Sequence, residues 1–367
     1  MGAKNAVRRI GVLTGGGDCP GLNAVIRAVV KTGLLQGGVE ACGILDGYEG
    51  LVNNKMTGLD YDDVSGILTL GGTILGTSNR ANPFRYIEPG GDRDDARDVS
   101  DVCLENFRKA GLDVLFCIGG DGTLSIAHQL AQNGIPVVGV PKTIDNDICG
   151  TDVTFGFDSA LVVVTEAIDR LHTTAMAHHR VMVVETMGRY SGWLALVGGV
   201  AGGGDVIVIP EIPYRMESVC QVVRERSRLG KRFSIVVVSE GVQLPEGDYV
   251  VRERVKESHE QIRLGGIGVW FASQIQERTG IESRAVVLGH VQRGGSPTPC
   301  DRVLATRLGW AAFVEAARGG SDVMVGVRGQ DIVPVPLEEV ADRQRRVEAD
   351  CDFVQAARAV GTSFGDE

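Results

Sequence analysis

The stretch from residue 113 to residue 150 most strongly constrains what this chain can fold into. Residues 114–118 form a continuous apolar run, which enters a glycine-rich turn at 119–123, and a helical pattern begins near Leu124. A short, uninterrupted apolar run is typical of a parallel strand buried on both faces. The sequence therefore predicts an α/β sheet in which this strand turns directly into a helix.

The turn at 119–123 is suited to binding phosphate. Glycines let backbone N–H groups approach an anion closely, and a helix N-terminus adds roughly half a positive charge. Asp121 would repel phosphate unless a metal ion lay between them, and Mg²⁺ is the obvious candidate.

The next strand pattern, at 135–140, leads to two further carboxylates, Asp145 and Asp147. In an extended segment, residues two apart project to the same side, so these two side chains could divide their work between a proton and a metal ion. Because adjacent parallel strands end at one edge of a sheet, we expect both polar tips in one crevice.

A second glycine-rich turn, at 14–21, lies between a strand pattern at 10–13 and a helical pattern at 23–35. It does not have the G-x-G-x-x-G form, and no acidic residue completes a dinucleotide fingerprint ~20 residues further on. A dehydrogenase is therefore disfavoured, and a purely structural role for this turn stays open.

Strand and helix patterns alternate along the rest of the chain. The polar run 243–263 is predicted to be an inserted loop or hairpin, and Asp301 to cap a helix that ends at 317. We predict further strands at 42–45, 180–185, 206–209, 234–239, 285–288 and 323–327, and helices at 158–171, 217–229 and 267–278.

This alternation predicts an α/β fold with two doubly wound parallel-sheet domains and the active site in the cleft between them. A chain of 367 residues exceeds the usual size of a single core. Near residue 157 the strand tips change from glycines and acids to arginines and histidines. We therefore expect one domain formed by 1–156 and 292–341 and another formed by 157–291 and 342–367.

Charge and cysteine content bound the possible partners. A formal net charge of −10 offers no basic field for nucleic acid or an anionic membrane, so neither is expected as a partner. The first residues have no signal-peptide pattern, and the eight cysteines contain no C-x-x-C pair. A cytoplasmic protein with reduced thiols is expected.

Four motifs identify a family when they are taken together. They are GGDGT at 119–123, PKTIDND at 141–147, MGRYSGW at 187–193 and RAVVLGHVQRGGSPTPCDR at 284–302. With these motifs in this order, the chain resembles the 6-phosphofructokinases over nearly its whole length. It is most similar to the long bacterial, actinobacterial-like branch of the A type, which includes pyrophosphate-dependent members. The resemblance implies transfer of a phosphoryl group to the 1-hydroxyl of fructose 6-phosphate in glycolysis, with Mg²⁺.

The resemblance also implies roles for individual residues. Asp145 would be the general base, Thr143 and Lys142 would contact the transferred group, and Arg189 would neutralise charge in the transition state. Asp121 and Asp147 would hold Mg²⁺. The phosphoryl donor would contact Gly16, Tyr48, Arg80, Gly120, Asp121, Gly122 and Thr123, although the loop of Arg80 is one residue longer than the family pattern.

The sugar phosphate would contact residues from both halves of the chain. In this family Arg180 and Arg284 reach across a subunit interface, so the resemblance implies a homo-oligomer, a dimer or tetramer, with shared active sites. The implied set is Thr143, Asp145, Asp147, Arg180, Met187, Gly188, Arg189, Glu240, Arg284, His290 and Arg293.

The identity of the donor depends on two positions. The resemblance implies that the pyrophosphate-dependent members have Asp at the position of Gly122 and Lys at that of Lys142. The short ATP-dependent members have Gly at both positions. An Asp at 122 would add negative charge where the α-phosphate of ATP must lie, while Lys142 is compatible with either donor. We therefore expect ATP, with pyrophosphate as the alternative.

Two other functional classes share some of these features. A sensor of sugar phosphates without catalytic activity would need the anion site but not a base such as Asp145. An enzyme similar to the NAD kinases would have no use for the HVQRGG tip at 290–295.

Overall fold

The computed structural model describes residues 7–88, 90–91, 93–254 and 262–367. Its strands are β1 (Arg9–Thr14), β2 (Glu40–Ile44), β3 (Met56–Leu59), β4 (Val114–Gly119), β5 (Val137–Thr143), β6 (Phe155–Gly156), β7 (Val181–Thr186), β8 (Val206–Val208), β9 (Ser234–Ser239), β10 (Val251–Arg254), β11 (Ile262–Leu264), β12 (Ser283–Val287), β13 (Val323–Arg328) and β14 (Asp331–Pro336). Its α-helices are α1 (Leu22–Gly37), α2 (Tyr48–Val52), α3 (Ser100–Lys109), α4 (Asp121–Gln132), α5 (Phe157–His178), α6 (Trp193–Ala201), α7 (Met216–Arg228), α8 (Ile267–Thr279), α9 (Pro299–Ala317) and α10 (Asp352–Ala359).

Two sheets organise the described residues. The first has the strand order β14-β13-β5-β4-β1-β2-β3, with β6 paired to β5, and the second has the order β12-β7-β9-β8. All pairs of the second sheet are parallel, whereas β3 and β14 close the first sheet as antiparallel edges. The predicted α/β class with two helix-covered sheets is confirmed.

The alternation of side chains along each strand explains why helices cover both faces. In β4, Phe116 and Ile118 join a core that includes residues of α1 and α9, whereas Leu115 and Cys117 face a second core with residues of α3 and α4. The first of these cores continues into the second sheet. The two sheets are therefore joined through one apolar interior.

The start of α9 differs from the sequence-based expectation. The Thr298 side chain accepts a hydrogen bond from the Asp301 N–H at 3.2 Å, so Thr298 is the cap and Pro299 opens the helix. Asp301 is instead buried, and its Oδ2 accepts bonds from the N–H and hydroxyl of Ser159 at 2.8 and 2.6 Å. The role predicted for Asp301 is wrong, because this carboxylate ties α9 to the first turn of α5.

The polar segment after β5 also differs. β5 continues through Lys142 and Thr143, because these residues pair with Phe155 and Gly156 of β6. Asn146 has a left-handed backbone, with φ of 54°, so the segment between Asp145 and Asp147 is not extended as predicted. The sequence patterns also missed β3, β14, α2, α3 and α10.

The inserted run 243–263 forms a hairpin of β10 and β11 in its described part, and residues 255–261 lie outside the described residues. No helix in the described ranges is both long and apolar enough to cross a membrane.

Candidate active site

A cavity of about 760 Å³ lies at the carboxyl ends of strands from both sheets. The first sheet contributes residues that follow β1, β4 and β5, and the second contributes residues that follow β7, β9 and β12. Ligands of open α/β sheets bind at this edge. The predicted site residues on the cavity wall are Gly16, Tyr48, Gly120, Asp121, Gly122, Thr123, Lys142, Thr143, Asp145, Met187, Arg189, Glu240, His290 and Arg293.

Two glycine turns meet at Thr123, at the start of α4. A Cβ at Gly119 would lie 2.3 Å from the Thr123 Cβ, and a Cβ at Gly15 would lie 2.6 Å from its hydroxyl oxygen. Only glycine therefore fits where the turns close around this side chain. The Tyr48 hydroxyl donates to the Thr123 carbonyl at 2.7 Å. Asp121, Gly122 and Thr123 at the N-terminus of α4 line the cavity, and a helix N-terminus is suited to binding an anion.

Lys142 and Arg293 bring positive charge to this site. The buried Lys142 ammonium donates to the Gly17 carbonyl, and the Arg293 Nη1 donates to the Asp18 carbonyl at 3.1 Å. Burial lowers the pKa of Lys142, and the charge of Arg293 lowers it further. A Cβ at Gly17 would lie 2.7 Å from the Arg293 Nη1, so the glycine admits the guanidinium.

The carboxylates Asp145 and Asp147 are both buried, but only Asp145 lines the cavity. The Asp145 Oδ1 makes no hydrogen bond within the described residues. Burial raises the pKa of Asp145, against the opposing charges of Arg293 and Arg189. Burial raises the pKa of Asp147 well above its usual range, with repulsion from Asp145 and then Asp121 in the same direction. The raised pKa values favour a proton or a nearby cation at this pair of carboxylates.

Within the described residues, no three His, Cys, Asp or Glu side chains converge so as to hold a metal ion. Mg²⁺ bound with a phosphate ligand commonly takes only one or two carboxylates and completes its shell with phosphate oxygens and water. Asp121 on the cavity wall, with Asp147 near enough for the two charges to interact, fits that arrangement.

Arg189 reaches the cavity from an unusual backbone conformation. Its φ is 51°, in the left-handed region, and the Gly188 before it has φ of 134°. The Glu240 Oε1 accepts a hydrogen bond from the Arg189 N–H at 3.3 Å. A Cβ at Gly241 would lie 1.5 Å from the Arg189 carbonyl oxygen, so only glycine allows this approach. The tip of β9 thus shapes the backbone that presents Arg189.

Burial raises the pKa of Glu240 to about 8, and the nearby Asp145 adds to the rise. Glu240 is therefore largely protonated at neutral pH. It faces the cavity beside Arg189 as an uncharged hydrogen-bonding group.

Five predicted residues are not on the cavity wall of this chain. Asp147, Gly188 and Arg80 do not line it, whereas Arg85, five residues after Arg80, does. Arg180 directly precedes β7, and Arg284 lies early in β12, so both are at the opposite end of the second sheet. There they pair with Glu282, at 3.0 Å for Arg180 and 2.5 Å for Arg284.

Sequence reasoning missed the segment that follows β14. The Asp342 N–H donates to the Ser125 hydroxyl at 3.0 Å, and Asp342 lines the cavity. The Gln344 amide donates to the Asp121 Oδ2 at 3.4 Å. No local motif indicates these contacts, because the segment reaches the site only through the tertiary fold.

Comparison with known proteins yields one consistent family. The model described as "PFK: Phosphofructokinase" matches residues 9–316. The chain is 47% identical over 362 residues to ATP-dependent 6-phosphofructokinase 2 of Clostridium perfringens, covering 98% of this chain and 99% of that one. It is 52% identical over 368 residues to ATP-dependent 6-phosphofructokinase of Chloroflexus aurantiacus, covering 98% of each. It is also 50% identical over 341 residues to the pyrophosphate–fructose 6-phosphate 1-phosphotransferase of Streptomyces coelicolor, covering 93% and 96%.

Solved structures show the same fold. Pichia pastoris phosphofructokinase in the T-state matches with a TM-score of 0.79 at 31% identity, over 98% of this chain, which spans 37% of that longer chain. The pyrophosphate-dependent phosphofructokinase of Nitrosospira multiformis matches with a TM-score of 0.81 at 20% identity, covering 98% of this chain and 92% of that one, and shows the fold alone.

A cleft that combines a glycine-turn anion site, buried carboxylates and converging arginines defines a phosphoryl-transfer protein. Given the family match and these relatives, the chain belongs to the phosphofructokinase family. The resemblance inferred from the four motifs is confirmed.

Proposed function

We propose that this protein is an ATP-dependent 6-phosphofructokinase, which transfers the γ-phosphoryl group of ATP to the 1-hydroxyl of fructose 6-phosphate. The product is fructose 1,6-bisphosphate, as in glycolysis. The observation that carries the proposal is the buried Asp145 carboxylate, whose Oδ1 has no hydrogen-bond partner among the described residues. It stands in one cavity with Arg189 and the N-terminus of α4. The names of relatives 47% to 52% identical over nearly their whole length support it.

The chemistry assigns a distinct task to each of these groups. The sugar O1 attacks the γ-phosphorus, its proton passes to Asp145, and the bond from the γ-phosphorus to the bridging oxygen breaks to release ADP. Burial raises the pKa of Asp145 and so makes it a stronger base, while the charges of Arg293 and Arg189 oppose the rise. Arg189 neutralises charge on the transferring group, and the backbone N–H of Gly120 contacts the phosphates. Gly16 lines the donor side of the cavity, but its N–H donates to the Ser78 carbonyl at 3.1 Å.

The acceptor is the sugar phosphate. In this proposal Met187 and Glu240 contact the sugar, and His290 and Arg293 contact its phosphate. Asp121 and Asp147 would hold Mg²⁺, which when bound neutralises charge on the donor phosphates. Gln344 would orient Asp121 through its amide.

ATP is favoured as the donor by the shape of the cavity. A Cβ at Gly122 would meet no atom within 4 Å. Beyond Gly122 the wall continues along α4 to Ser125, Ile126 and Gln129, which is more room than pyrophosphate requires. Pyrophosphate is the second candidate, since Lys142 is at the site and one relative at 50% identity is named for pyrophosphate.

Two features of the assembly belong to the same proposal. We take residues 1–156 and 292–341 as the donor-binding domain and 157–291 and 342–367 as the sugar-binding domain. We also infer a homo-oligomer, because Arg180 and Arg284 lie far from the cavity of their own chain and would complete the site of another subunit.

One assay with one variant tests the reaction. The wild type should turn over fructose 6-phosphate with ATP and Mg²⁺, and Asp145→Asn should lower kcat by ~10²- to 10⁴-fold while sugar affinity stays within a few-fold. More than a tenth of wild-type kcat in the variant would contradict the base assignment. Turnover with pyrophosphate but not ATP would contradict the donor assignment alone.

A further inference from the structure

The hairpin of β10 and β11, which follows from the inserted run 243–263, has no role in the chemistry above but forms part of the cavity wall. It connects β9 to α8, so it stands on the side of the second sheet, with Met187 and Glu240. The hairpin residues on the wall are Arg252, Glu253, Ile262, Arg263 and Leu264.

The base of this hairpin is hydrogen-bonded to the sheet. The Gly265 N–H donates to the Val250 carbonyl at 3.2 Å. The Gly266 and Gly268 N–H groups donate to the buried Glu185 carboxylate at 2.9 and 2.7 Å. Glu185 lies on β7, two residues before Met187, so the hairpin is fixed to the strand that leads into predicted sugar contacts.

A register shift marks Arg252 within the hairpin. Val251 pairs with Leu264 and Glu253 pairs with Arg263, so Arg252 is the extra residue of a β-bulge. Bulges next to active sites change the direction of a side chain. Both Arg252 and its neighbour Glu253 line the cavity.

The two hairpin arginines on the wall differ in their partners. The Arg263 Nη1 lies 2.9 Å from the Glu253 Oε2, so its charge is paired. Arg252 forms no hydrogen bond or ion pair with any of the described residues. Its stem lies over Gly265, where a Cβ would be 3.7 Å from the Arg252 Cδ. Arg252 is therefore a cation on the cavity wall that has no partner among the described residues.

We propose that Arg252 binds the phosphate group of the sugar phosphate, as a specificity-determining residue that the hairpin supplies within the same chain. A guanidinium binds phosphate through two parallel hydrogen bonds, which suits a planar, permanently charged group at this position. The sugar phosphate is the ligand rather than the donor, because the donor-binding turns come from the first sheet and the hairpin from the second. The inference rests on the proposed function.

The test compares Arg252→Ala, Arg252→Lys and a matched control, Arg228→Ala, which removes the same charge from exposed α7 of the same sheet layer. Fructose 6-phosphate binding is measured by calorimetry without a donor, and steady-state constants are measured with ATP. Arg252→Ala should raise both the Kd and the KM for fructose 6-phosphate about tenfold. The kcat, the KM for ATP and the thermal midpoint should stay near wild-type values. Arg252→Lys should retain part of the affinity for fructose 6-phosphate, and Arg228→Ala should match the wild type.

The opposing outcomes are distinct. Unchanged sugar-phosphate constants in Arg252→Ala would overturn the inference, and so would a rise in the KM for ATP alone, which would assign Arg252 to the donor. A lowered thermal midpoint with lower kcat would indicate a structural role for the hairpin instead. A wild type that binds fructose 6-phosphate without phosphorylating it would contradict the proposed function, while the calorimetric test of Arg252 would still decide this inference.

Discussion

At the scale of single residues, the Arg189 backbone shows how a group proposed to be catalytic depends on a neighbour with no functional side chain. A left-handed conformation in a residue other than glycine costs on the order of 1–2 kcal/mol, and it persists only where the surroundings impose it. Here the Glu240 carboxyl holds the Arg189 N–H, and Gly241 leaves space for the Arg189 carbonyl. We infer that Gly241 is a positioning residue for Arg189.

Gly241→Ala should therefore lower kcat by about 100-fold, because displacement of a transition-state group by ~1 Å can cost this much. A double-mutant cycle measures whether the effect passes through Arg189: in an Arg189→Ala background, Gly241→Ala should add little. Gly58→Ala is the control, since a Cβ at that exposed β3 position would meet no atom within 4 Å. Additive effects in the cycle would contradict the positioning role.

The protonation state of Glu240 gives a second prediction at this scale. Its pKa is raised to about 8 in the folded protein, so between the ordinary value near 4.5 and 8 the unfolded chain has lost a proton that the folded chain keeps. The contribution of Glu240 to stability is therefore present at low pH and is lost as pH rises through this window. Glu240→Gln removes the dependence.

The stability of Glu240→Gln relative to wild type should thus increase from pH 5 to pH 8.5, by on the order of a few kcal/mol. Denaturant titrations of both proteins at several pH values in this range provide the measurement. A difference that stays constant with pH would show that Glu240 ionises in the folded protein at its ordinary pKa.

At the scale of elements, several strands and the loops that follow them could be predicted from the sequence, because buried parallel strands give uninterrupted apolar runs. β9 was predicted with its observed bounds, and β1, β4 and β7 to within about one residue at each end. The errors in the predicted strands lie where pairing with another strand determines which residues are extended. β5 is longer than its apolar run because β6 pairs with Lys142 and Thr143, and the edge strand β14 exists because β13 offers it a partner.

The turn from β4 into α4 carries the prediction on donor choice. Gly122 lies in the first turn of α4, where a Cβ would have open space and a carboxylate would be favourable to the helix. Gly122→Asp should therefore fold normally, yet it should reduce kcat/KM for ATP by about 100-fold or more through charge repulsion, with fructose 6-phosphate binding little changed. Gly122→Ala separates size from charge and should have a much smaller effect. Equal losses in the two variants would refute the electrostatic argument for ATP.

At the scale of the whole molecule, the sequence predicted that two sheets meet at a cleft, because the chemistry of the strand tips changes along the chain. It could not predict which distant segments complete the cleft. Asp342 and the hairpin Arg252 line the cavity, and Gln344 contacts Asp121 on its wall, from parts of the chain without a recognisable motif. Their placement follows from packing across the common core, which no local pattern encodes.

The positions of Arg180 and Arg284 bear on whether the active site is shared between subunits. From Arg180 to Met187 the chain runs the length of β7, about 20 Å, so neither arginine can reach the cavity of its own chain. If they serve the site of a partner, Asp145→Asn and Arg180→Ala subunits, each nearly inactive alone, should regain activity when mixed. A hybrid dimer would then contain one site with both residues intact, and roughly a quarter of all sites would be restored after random exchange at equal amounts. Mixing Asp145→Asn with Arg189→Ala is the matched control. Asp145 and Arg189 serve the same site from the same chain, so this mixture should restore no activity.

The measurement is activity against mixing ratio, with subunit exchange verified by mass-labelled chains. Absence of recovery in the first mixture would exclude a shared site.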